Sequence, residues 1–112
     1  MLQYMLSLAA VLALWTSAAY GVDQLSINSV SRNGMSKADC LSRADRVLSS
    51  AGLAKFGTTE DGVWATANNG EYQVMIYCLP KSDAAVFVTN GPDSRQAEAL
   101  VKRISNAWDQ TK

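Results

Sequence analysis

Cys40 and Cys78 are the residues of this 112-residue chain with the most specific chemistry open to them. A redox-active pair usually has Cys-x-x-Cys spacing beside a helix N-terminus, and these two are far apart in sequence. A structural disulfide fits them better. The chain has no histidine, which removes Ser-His-Asp and Cys-His nucleophiles and the usual imidazole ligands of zinc. Glu60, Asp61 and Glu71 cluster around one hairpin, where a glycosidase-like carboxylate pair is conceivable. Nothing near them suggests the apolar pocket that raises an acid's pKa, so they read as solvated turn charges. The same stretch lacks the alternating Asp and Asn of a calcium loop, and Gly57, Gly62 and Gly70 stand singly at turns, with no phosphate-cradling run. The expectation is a protein that is not an enzyme and has no cofactor or metal.

Ten basic and ten acidic residues cancel. They are interspersed, with no basic stripe of the kind that binds phosphates, so nucleic acid is not an expected partner. Met1 to Val22 carry no charge, and every charged residue lies at Asp23 or beyond. The apolar run Leu6 to Trp15, followed by Ser17-Ala18-Ala19, has the form of a signal peptide cleaved after Ala19. Met1 to Met5 lack the customary Lys or Arg, and the uncharged stretch is long enough for a retained membrane anchor, so a membrane partner enters only in that alternative. The expected location is secreted or periplasmic, where an oxidising compartment would keep the two cysteines bridged.

Residues 20–35 read as an N-terminal extension or edge strand, with Leu25 and Ile27 alternating with polar residues before the turn at Ser31 to Gly34. Residues 36–112 read as one disulfide-closed domain. Cys40, Leu41, Ala44, Val47, Leu48 and Ala51 fall on one helical face, with Ser36 as cap and Gly52 as stop, predicting a helix over Lys37 to Ala51. Short period-two segments follow, separated by Thr59 to Gly62, Asn68 to Gly70 and Pro80 to Asp83. Asn69-Gly70 suits a two-residue hairpin that pairs Trp64 with Met75 and Ala65 with Val74. After Asn90-Gly-Pro92, Asp93 caps a last helix whose stripe is Ala97, Leu100, Val101, Ile104, Ala107 and Trp108. Two one-sided helices flanking a meander of strands predict an α+β two-layer sandwich, with an antiparallel sheet carrying both helices on one face. Cys40 and Cys78 then point into the same layer.

The other sheet face receives Trp64, Met75 and Tyr77, and also Phe87 if the next hairpin pairs Cys78 with Ala84. Large apolar residues there form a contiguous patch, and such patches mark partner or ligand surfaces. The patch is either open to an unknown protein or a small apolar ligand, covered by residues 23–34, or buried in a homodimer. The expected function is therefore an exported binding or interaction module with Trp64, Met75, Tyr77 and Phe87 as contacts. A structural or envelope-maintenance role is the alternative, and a small enzyme without histidine comes third.

Overall fold

The computed structural model describes residues 24–111, so the segment read as a signal peptide, residues 1–19, lies outside it. The described chain runs β1 (Gln24–Ser31), α1 (Lys37–Ser50), β2 (Ala54–Thr58), β3 (Gly62–Ala67), β4 (Tyr72–Cys78), β5 (Ala84–Gly91), α2 (Ser94–Gln110). All neighbouring strands are antiparallel, in the order β1-β5-β4-β3-β2. The chain leaves β1 at one edge, crosses through α1 to the far edge, and meanders back until β5 lies beside β1. Both helices pack on one face, as the one-sided stripes require: α1 against β3 and β4, α2 against β1 and β5.

Local signals set the helix ends. Ser36 Oγ accepts the Asp39 N–H at 3.1 Å, and the Asp93 carboxylate accepts the Gln96 N–H at 2.9 Å, each satisfying a donor that the first helical turn leaves open. Gly52, at φ +74°, takes the left-handed conformation that ends α1. Arg43 lies over the Trp108 ring, 4.6 Å from its centre, and donates to the Trp108 carbonyl, while Arg103 donates to the Ala51 carbonyl. These two contacts tie the helices to each other.

The core lies between helices and sheet and contains Cys40, Ala44, Val47, Leu48, Val63, Ala65, Tyr72, Val74, Ile76, Cys78, Ala85, Phe87, Leu100, Ile104 and Trp108. Cys40 and Cys78 form a disulfide inside it, with Cα atoms 6.1 Å apart, fastening α1 to β4. The buried hydroxyls of Thr89 and Ser105 are paired: Thr89 Oγ1 donates to the Ala97 carbonyl at 2.6 Å, and Ser105 Oγ accepts from Asn28 Nδ2 at 2.7 Å.

Tyr72 is buried because Gly91 leaves room for it. A Cβ on Gly91 would stand 2.0 Å from Tyr72 Cδ1, well inside any tolerated contact. Gly91→Ala is expected to cost about 2 kcal/mol through overpacking. Urea unfolding checks this, and a midpoint equal to wild type would show that the ring moves aside freely.

Candidate functional site

The face turned away from the helices carries the candidate site. The Asn68–Gly70 turn closes with the Glu71 N–H on the Asn68 carbonyl at 3.2 Å, and β3 pairs with β4 in the predicted register, Trp64 with Met75 and Ala65 with Val74. Three of the four predicted contacts, Trp64, Met75 and Tyr77, therefore share the outer face.

Phe87 does not. β4 pairs with β5 through Cys78 and Ala85, not Ala84, so every β5 side chain faces opposite to the expectation. The Leu79 N–H bonds the Ala84 carbonyl at 3.1 Å, closing a four-residue loop at Pro80–Asp83. Phe87 is fully buried, with its ring centre 5.6 Å from that of Trp108. Val86 and Val88 take the outer positions. The physical reason is volume: Phe87 fills the space between sheet and α2 that a valine would leave partly empty. Because Ala84-Ala-Val-Phe-Val88 is apolar at every position, alternation could not choose the face.

The N-terminal segment does not fold over the patch. It is the edge strand β1, paired with β5 along its whole length, Ile27 opposite Val88 and Leu25 opposite Asn90. Leu25 and Ile27 are each 63% exposed. The row Ile27, Val88, Met75, Trp64 thus crosses four strands, with Val86 and Tyr77 in the next row. Sequence reasoning missed Ile27, Val86 and Val88. The alternation of Leu25 and Ile27 signalled a strand, but not the strand's neighbour.

Two glycines shape this surface: Gly57, which lies inside a strand and not at a turn, and Gly62, which closes the turn from Thr59. Gly57 lies in β2 opposite Trp64, and a Cβ there would stand 3.1 Å from the indole Nε1. Gly62 opens β3 opposite Tyr77, and a Cβ there would be 3.3 Å from the ring. Each aromatic ring thus lies against a strand with no side chain to lift it. The outward positions of β1, β3, β4 and β5 carry no charged residue. Trp64, Gln73, Met75, Tyr77, Val88 and Asn90 border a depression of about 140 Å³. Its lining is mainly apolar, and Gln73 and Asn90, paired across β4 and β5, add two amides to it.

No family model matches this chain, and no curated protein matches its sequence.

The carboxylates are placed otherwise. Asp61 pairs with Lys37 Nζ at 3.0 Å, and its carbonyl accepts the Cys78 N–H at 2.7 Å, so it fastens the β2–β3 turn to α1 and β4. Glu60 and Glu71 are exposed. Among the described residues, no group of three or more His, Cys, Asp or Glu side chains is arranged to hold a metal ion. No helix among them is long and apolar enough to cross a membrane.

Proposed function

We propose that this chain is an exported binding module that engages an apolar partner surface or ligand through the outer face of its sheet, with Trp64, Met75 and Tyr77 as anchors and Val88 and Ile27 extending the contact. The observation that carries this reading is the uncharged apolar row across the sheet on the side away from both helices. A two-layer domain with no partner ordinarily shows polar residues there. Aromatic residues and Met are enriched in interface cores, and rings seated on glycines are already ordered, which lowers the entropy lost on binding. The buried disulfide is compatible with an oxidising compartment, and the uncharged N-terminal run supports secretion or periplasmic residence. The overturned position of Phe87 narrows the anchor set without weakening the reading.

The test uses Trp64→Ala and the dye 8-anilino-1-naphthalenesulfonate, which fluoresces on apolar surfaces. Native protein is expected to bind the dye, and the variant to bind it at least about tenfold more weakly with little loss of folding stability, as for an aromatic anchor. Trp108 is only 3% exposed, so acrylamide quenching of the exported chain reports mainly on Trp64. A native protein that binds no dye and whose Trp64 emission resists quenching would sink the reading. So would unfolding of the variant, because Trp64 would then be core.

A further inference from the structure

The two edges of the sheet are built differently. β2 pairs with β3 through a register shift between Lys55 and Gly57, the kind of irregularity that bends an edge strand. β1 pairs with β5 over eight consecutive residues without a register shift, and Gln24–Ser31 contains no charge, proline or glycine. Those are the devices that normally keep a free edge from pairing, and β1 has none of them.

The backbone defines which part of this edge is available. The Arg32 N–H bonds the Asp83 carbonyl at 3.0 Å, which continues the β1–β5 ladder past Ser31. Alternation along an antiparallel ladder then turns the N–H and C=O of Gln24, Ser26, Asn28 and Val30 toward β5, and those of Leu25, Ile27, Ser29 and Ser31 away from the sheet. The Ser29 N–H is taken by Asn28 Oδ1 at 2.9 Å. Ser31 lies in the turn fastened by Asp83, whose carboxylate accepts from Ser31 Oγ and the Gly34 N–H. Among the described residues, the open stretch of edge is thus Leu25 to Ile27, which also carries the two most exposed large apolar side chains.

We propose that β1 pairs antiparallel with β1 of a second copy, about a two-fold axis through Ser26. In that register Leu25 of each copy lies opposite Ile27 of the other, and these outward-facing residues exchange the ladder hydrogen bonds. The pattern is self-complementary: apolar meets apolar on the outer face, and on the inner face Ser26 meets Ser26 and Gln24 meets Asn28. Moving the axis to Ile27 would put Leu25 opposite Ser29, whose N–H is already engaged. An axis between residues would set the outer face of one copy against the inner face of the other. The chain itself supplies the apolar-polar-apolar strand that this edge requires, which is why a second copy is the occupant, through an isologous contact. The two outer faces then join into one surface. The pairing does not depend on any ligand at Trp64.

Sedimentation of the purified protein across the micromolar range is expected to show a concentration-dependent dimer. Ile27→Lys is expected to raise the dimer Kd at least about tenfold, since a charge on the edge opposes pairing, without lowering the monomer's thermal midpoint. Ser26→Cys is expected to form a covalent dimer on oxidation under native conditions, because residues at a non-hydrogen-bonded antiparallel pair bring their Cα atoms to about 4.5 Å, within disulfide reach. Ser29→Cys is not expected to cross-link. A protein that sediments as a monomer throughout, an Ile27→Lys dimer as tight as wild type, or linking through Ser29→Cys and not Ser26→Cys would overturn the pairing. A dimer dissolved by Trp64→Ala but not by Ile27→Lys would show that the copies meet face to face, which also overturns it. Loss of dye binding by Trp64→Ala with the dimer intact leaves the pairing standing, so the two proposals fail separately.

Discussion

Phe87→Ala is expected to destabilise the domain by about 3 to 5 kcal/mol, the range for removing a fully buried phenylalanine. Phe87 has no exposed surface, and its ring packs against Trp108 from α2. Truncation forfeits the transfer free energy of the ring and leaves a cavity between sheet and helix that the disulfide-tied core closes poorly. For a domain of this size the total stability is about 5 to 15 kcal/mol, so the loss takes a large share of it. Val88→Ala, one residue away on the outer face, is expected to cost about 1 kcal/mol or less. Urea midpoints of the two variants give the comparison. Equal and small effects would place Phe87 outside the core, whereas a large gap matches the observed register.

Opening the disulfide has the second largest expected effect, a loss of about 2 to 4 kcal/mol. The bridge joins residues separated by 38 in sequence, and for a loop of that length the simple chain-entropy model gives roughly 4 kcal/mol. It also fastens α1 to the sheet beside core residues Val47, Leu48, Val74 and Ile76. Two routes separate cross-link from packing. Reduction of the wild-type protein removes the bond and leaves both sulfurs in place, and the Cys40→Ala, Cys78→Ala double variant removes the sulfurs as well. Both are expected to lower the denaturant midpoint, the double variant further because of the two small cavities. A reduced protein as stable as the oxidised one would remove the energetic part of the argument, and free thiols found by alkylating the native protein would remove the bridge itself. Both cysteines are fully buried, so alkylation must be compared before and after unfolding.

Features written within a few residues of sequence determined their own structure here. Ser36 and Asp93 cap helices because each needs only a donor three residues away, and Gly52 ends α1 because it tolerates positive φ. Asn69-Gly70 set the β3–β4 register, since a tight turn leaves one pairing and every partner follows from it. The one-sided stripes of α1 and α2 required a sheet face to cover them, and the cysteines, one on a stripe and one on that face, met there. Three choices were left to the tertiary structure. The side that β5 shows was decided by the need to fill the space under α2, because Ala84 to Val88 are apolar on both faces and the Pro80–Asp83 loop permits either parity. The place of β1 was decided by an edge of β5 formed some 60 residues later in the chain, which no local pattern around Leu25 and Ile27 can specify. The seats of Trp64, Tyr77 and Tyr72 on Gly57, Gly62 and Gly91 were decided by contacts between strands. A glycine's lack of a side chain shows in sequence only as a possible turn, and it becomes space for an aromatic ring once the neighbouring strand is in register.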